Sequence, residues 1–176
     1  MAQPLSSSTI QTSNIRTGKK VHKIENQRLF ETDVYVDMGE EQNRQTVVFW
    51  TPELQCMRKD DNHLTILLPQ TDECEEFYNM LLHVESNVVS DSSEKWKSWF
   101  DKDDLTLEDV QERFVSCIKA GSKEEQGRIM NVKTSSRVKC KVSGSEDVTW
   151  SPSFVNSIVN VSLSIRFEKS LACCDI

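Results

Sequence analysis

The chain predicts an α+β fold: a small antiparallel barrel with a pair of helices inserted between two groups of strands. Three observations carry that expectation. Val159, Val161, Leu163, Ile165 and Phe167 alternate with Asn160, Ser162, Ser164, Arg166 and Glu168. Such a pattern buries one face and wets the other, as in an antiparallel sheet. Cys74, Phe77, Leu81, Val84 and Val88 recur at steps of three and four, which puts all five on one helical face. Strand-like segments, about seven in all, flank this helical section on both sides, the element order of an α+β domain.

Taken in order, residues 1–14 contain Ser6-Ser7-Ser8 and little periodicity, and are expected to form a loose tail. Residues 15–170 then make a single domain, and 171–176 a second tail. Ile15 to Ile24 reads as strand–turn–strand through Gly18, and Thr32 to Asp37 alternates as a strand. Gly39 to Arg44 is a polar loop. The apolar run from Thr46 to Trp50 is a strand that stops at Thr51-Pro52, because proline cannot donate to a ladder. A second run, Leu64 to Leu68, follows an Asp60-Asp61-Asn62 turn.

The first helix should begin at Asp72, with Glu75 completing a capping box. A polar break then separates it from the aromatic knot Trp96-Lys97-Ser98-Trp99-Phe100, whose Trp99 and Phe100 are expected to pack between helices and sheet. A second helix opens at Thr106, with Asp109 three residues on. It carries Leu107, Val110, Phe114, Cys117 and Ile118 on one side and stops at Gly121. Lys119 to Gly127 reads as a charged loop, and Arg128 to Val132 as a strand. Arg137, Lys139 and Lys141 alternate with Val138, Cys140 and Val142, so the three cations share one strand face. Ser143-Gly144-Ser145 is a turn, and the short strand Val148-Thr149-Trp150 stops before Pro152.

The net charge of −7 is unevenly spread. Residues 1–30 carry +4, 31–118 carry −14, 119–141 carry +5 and 142–176 carry −2. A polyanion would be attracted to the two basic segments and repelled by the acidic middle. Six cysteines form no Cys-x-x-Cys pair, so neither a zinc site nor a disulfide framework is indicated. Cys74, Cys117 and Cys140 fall at inward positions and read as small buried hydrophobes. No signal segment or membrane span is recognisable, and the expectation is an intracellular protein of the host nucleus or cytoplasm, away from membranes. The terminal Cys173-Cys174-Asp175-Ile176 has the skeleton of a prenylation box, but its acid and terminal isoleucine fit that chemistry poorly.

Catalysis finds little support. His22, His63 and His83 lack metal-ligand spacing. The carboxylates cluster in ways that suit a solvated face or a helix first turn. There is no nucleophile elbow and no phosphate-cradling glycine loop. No enzyme activity, cofactor or metal is expected. A strand with three cations on one face, followed by a short strand ending in Trp150, instead supplies the two elements that a single nucleic-acid strand needs: charge for phosphates and an aromatic face for a base.

The order of features resembles the single-stranded-DNA-binding proteins of large nucleocytoplasmic DNA viruses, of the iridovirus and phycodnavirus kind. The residues carrying it are Val47-Val48-Phe49-Trp50-Thr51-Pro52-Glu53-Leu54, the strand Leu64 to Leu68, and the helix from Glu76-Phe77 to Val84-Glu85. Ser98-Trp99-Phe100-Asp101-Lys102, Phe114 to Lys119 and the basic segment Ile129 to Val142 complete the set. The chain departs from the pattern at Trp50, where a polar residue is expected, and in the acidity after Phe100. The resemblance implies an OB-like barrel and a role in viral genome replication or repair.

Together these readings give a sequence-tolerant binder of single-stranded DNA, with RNA and viral replication proteins as further candidate partners. Its expected surface is Lys133, Arg137, Lys139, Lys141 and Trp150, with Lys19, Lys20 and Lys23 as an auxiliary clamp. The alternative is a scaffold whose acidic helical face recruits a basic partner.

Overall fold

The computed structural model describes residues 5–6, 14–24, 29–37, 44–46, 48–59, 63–101, 105–116, 118–121, 127–133, 139–142, 148–149, 158–164 and 166–170. Its longest element is helix α1 (Asp72–Phe100). The N-cap is Thr71, whose hydroxyl accepts the Cys74 N–H at 3.3 Å. The expected cap, Asp72, lies one residue too late. With Glu73 and Glu75 it occupies the first turn, where negative charge suits the helix dipole.

The helix also runs straight through the expected polar break. Ser92 and Ser93 return their hydroxyls to the Val89 and Ser90 carbonyls, so neither asks the backbone to leave the helix. Ser92 is buried, and Val88, Ser92 and Trp96 continue the inward stripe at steps of four. The aromatic knot is therefore the last turns of α1. Asp101 ends it in the left-handed region at φ 47°, with its N–H on the Lys97 carbonyl.

Helix α2 (Leu107–Arg113) opens after Thr106 as expected, with a reciprocal box between Thr106 and Asp109. It is shorter than its periodicity predicts. The chain turns extended at Phe114, and Ile118–Ala120 forms a strand, β9. Ile118 is buried there and pairs with Met130 of the neighbouring strand. Cys117 lies outside the described residues.

The preceding strands are β1 (Leu5–Ser6), β2 (Ile15–Thr17), β3 (His22–Lys23), β4 (Leu29–Asp37), β5 (Arg44–Thr46), β6 (Val48–Trp50), β7 (Leu54–Lys59) and β8 (His63–Leu68). After β9 come β10 (Arg128–Lys133), β11 (Lys139–Val142), β12 (Val148–Thr149), β13 (Ile158–Ser164) and β14 (Arg166–Ser170). The larger sheet has the order β1-β6-β13-β7-β8-β10-β9, with β11 on β13 and β12 on β11. The smaller sheet is built on β4, which pairs with β14, β2, β3 and β5. Among the described residues all pairings are antiparallel except β1 with β6. One position separates β5 from β6, and one separates β13 from β14. These two chain segments thus pass from sheet to sheet, and with β1, β7 and β9 they help raise the strand count among the described residues above the expected seven. The fold is α+β, and among the described residues the ladders form two sheets with no closed barrel.

Sequence reading missed β7. Leu54 and Cys56 are fully buried around an exposed Gln55, and Cys56 pairs with Ile66 of β8. Pro52 and the charged Arg58-Lys59 pair mask this short alternation. In the first tail, Leu5 pairs with Phe49 and Ser6 with Trp50. The 158–170 segment is extended as expected, but as two strands in different sheets, β13 and β14, rather than one continuous strand; the burial expected of Val159, Val161, Leu163, Ile165 and Phe167 lies outside the described residues and side chains.

Ile15, Val34, Phe49, Leu54, Ile66, Phe77 and Val84 form the heart of the core between α1 and the sheets. Phe49 and Phe77 meet at 5.7 Å between ring centroids. A second cluster joins Val89, Trp96 and Val110 to Phe100, Leu105 and Phe114. Phe100 also stands edge-on to Phe30 of β4 at 5.3 Å, so the end of α1 is pinned to the smaller sheet.

Candidate nucleic-acid interface

The basic turn between β2 and β3 is fixed at both ends. Gly18 donates its N–H to the Asp33 carbonyl at 2.9 Å, and the Thr32 hydroxyl donates to the Lys20 carbonyl at 2.9 Å. A Cβ on Gly18 would sit 2.3 Å from Thr32 Oγ1, so the close approach requires glycine. Lys19, Lys20, His22 and Lys23 are all exposed. In register, His22 faces Glu31 and Lys23 faces Phe30 on β4.

Thr17, immediately before this turn, is completely buried and lies on a strand at the edge of the described sheet. Its N–H donates to Asp91 Oδ2 at 2.6 Å, and its hydroxyl donates to the same oxygen. Its carbonyl accepts from Lys95 Nζ at 2.6 Å, and Lys95 closes the set with an ion pair to Asp91 at 2.7 Å. The two helix side chains thus satisfy the strand's edge groups as a neighbouring strand would. Burial pushes the Asp91 carboxyl up, but the hydrogen bonds from Lys95 and Thr17 outweigh it and hold the group below its ordinary value.

The expected cations do not lie together in one element. Lys139 and Lys141 are on β11, aligned with Thr149 and Asn160. Lys133 ends β10, and β13, β7 and β8 lie between these two strands. Lys19, Lys20 and Lys23 belong to the smaller sheet and its connection. Arg137 and Trp150 lie outside the described residues.

The acidic side of α1 is also visible. Asp72, Glu73 and Glu76 are exposed. Glu75 is engaged by Arg128 at 2.6 and 3.3 Å, and that guanidinium lies 3.7 Å from the Tyr78 ring centroid. These residues border a polar cleft of about 540 Å³, with Thr71, Asp72 and Lys119 on its walls. Its charges are balanced, two acids against two bases. Among the described residues no group of three or more His, Cys, Asp or Glu could hold a metal ion, and no helix is long and apolar enough to cross a membrane.

The Thr17–Asp91–Lys95 set escaped sequence reading. The Asp-x-x-x-Lys spacing within a helix signals the ion pair, but nothing local points to Thr17, 74 residues from Asp91. No family model, no curated protein and no solved structure matches the chain.

Proposed function

We propose that this protein is a non-enzymatic, sequence-tolerant binder of single-stranded DNA that serves viral genome replication or repair through an OB-like arrangement of its strands. The observation that carries this reading is the Gly18–Lys23 turn. Three lysines and a histidine stand exposed on a backbone braced by the Asp33 carbonyl and the Thr32 hydroxyl. Cations on a braced loop lose less freedom on meeting a phosphate chain than cations on a loose one. Lys139 and Lys141 add a second element, one two-residue strand repeat apart, about 7 Å. That repeat is close to the spacing of phosphates in an extended strand.

The test is binding of single-stranded DNA, duplex DNA and single-stranded RNA across a salt titration. Single-strand affinity should fall with salt, at a slope of about −0.7 for each phosphate neutralised. Replacing Lys19, Lys20 and Lys23 together with Gln should weaken binding to every sequence alike. A wild-type protein that binds no strand at low salt overturns the reading. The exposed Asp72, Glu73 and Glu76 of α1 favour a second reading, an acidic face recruiting a basic partner. Salt-sensitive capture of a lysine-rich peptide, lost when these three become Asn or Gln, would support it.

A further inference from the structure

We propose that Asp91 and Lys95 of α1 are positioning residues for the basic turn, an inference that rests on the single-strand reading above. Thr17 is the last residue of β2, and Gly18, Lys19 and Lys20 follow it directly. Its N–H, hydroxyl and carbonyl are all held by this ion pair, at 2.6 Å for the N–H and 2.6 Å for the carbonyl. On the far side of the turn, Gly18 and Lys20 are held to β4 through Asp33 and Thr32. The turn is therefore gripped from both sides, by a sheet neighbour and by a helix. The helix grip is itself anchored: α1 carries Val88, Val89, Ser92 and Trp96 into the core on either side of Asp91 and Lys95. Neither charge points freely at a ligand. Asp91 and Lys95 neutralise each other, with side-chain exposures of 11% and 24%. Their contribution to binding is the fixed path of the backbone that presents Lys19 and Lys20.

This role makes a prediction opposite in sign to simple electrostatics. Asp91→Asn removes a negative charge near a basic turn, which by charge alone tightens binding to a polyanion. A positioning role predicts weaker binding, because the turn must be ordered at the moment of contact. The experiment measures affinity, dissociation rate and salt slope for a fluorescent single-stranded DNA oligonucleotide with the full chain. Asp91→Asn should weaken binding by about fivefold to tenfold, the cost of re-ordering one or two side chains. The loss should lie in faster dissociation, at an unchanged salt slope. It should vanish in a Lys19→Gln, Lys20→Gln, Lys23→Gln background, since the two sites then share one interaction. Thr17→Val removes the hydroxyl without altering charge and should act in the same direction, with Thr17→Ser restoring near wild-type binding. Thr17→Val decides the matter if Asp91→Asn fails to fold. Equal or tighter binding by Asp91→Asn, or an equal loss in both backgrounds, overturns the inference alone. Absence of binding by the wild-type protein overturns the single-strand reading together with it.

Discussion

Thr17 and Asp91 are joined by two hydrogen bonds to one carboxylate oxygen, from the backbone N–H and the hydroxyl of the same residue. Lys95 then bonds that oxygen and the Thr17 carbonyl. A completely buried threonine at a strand edge carries polar groups that cannot be left without acceptors or donors. The helix supplies them, and in doing so ties the smaller sheet to the second half of α1.

Loss of this set should be costly. Lys95→Met removes the donor to the Thr17 carbonyl and leaves the largely buried Asp91 carboxylate without its cation. The expected loss is about 1.5–3 kcal/mol, the range for hydrogen bonds to charged groups, measured as the urea midpoint at pH 7. The pH dependence follows from the sign of the Asp91 shift. Its folded-state carboxyl is depressed. Its stabilisation is therefore fully present above the unfolded carboxylate value of about 3.9 and is lost as pH falls through the lower folded value. Asp91→Asn should accordingly lose less stability than wild type between pH 5 and pH 2, in about the window where a salt-bridged aspartate titrates. An identical acid limb in the two proteins would contradict this assignment.

Gly18→Ala should destabilise the basic turn. Its new Cβ would meet Thr32 Oγ1 at 2.3 Å, and the threonine cannot swing away without abandoning the Lys20 carbonyl. A cost of about 1–3 kcal/mol is expected, as for other overpacked sites. Combining it with Thr32→Ala should cost less than the two single changes added together, because one removes the atom that the other strikes. Chemical denaturation of the four proteins completes the cycle.

In the aromatic cluster, Trp96 is the deeper anchor at 7% exposure and lies 4.8 Å from Phe100. Trp96→Ala should cost about 3–5 kcal/mol, the range for removing a buried large aromatic. Trp99 is less buried and meets Phe100 edge-on at 6.3 Å, so Trp99→Ala should cost clearly less. Unfolding midpoints in the opposite order would place the plug on the wrong tryptophan.

What could be read from the sequence was carried by local spacing. The inward face from Cys74 to Val88, the Thr106–Asp109 box and the alternation of β4 each follow from residues within a few positions of one another. What could not be read depends on distant partners. Ser92 stays helical because its hydroxyl has an acceptor in the same helix and its position faces a core. Ile118 leaves its helical pattern because Met130 is available to pair with it. The basic residues were legible as charges, and Lys139 and Lys141 as members of one strand, but the order of the strands was not. Strand order puts three strands between Lys133 and the Lys139–Lys141 pair, and no local pattern encodes that separation.

A second separation makes the final prediction. The turn bearing Lys19, Lys20 and Lys23 and the strand bearing Lys139 and Lys141 belong to different sheets. If both contact one DNA strand, they do so as distinct patches. Lys139→Gln with Lys141→Gln should flatten the log affinity against log salt slope by about 1.4, and the triple turn variant by about 2, at roughly 0.7 per phosphate. The losses should add in log affinity when all five are replaced, because the two sets of lysines meet different phosphates and do not contact each other. Oligonucleotide length supplies a second check. A short oligonucleotide able to reach only one patch should respond to one set of replacements, and a longer one to both. A full-length response confined to Lys19, Lys20 and Lys23 would restrict the interface to the turn, and β11 would then have no part in binding.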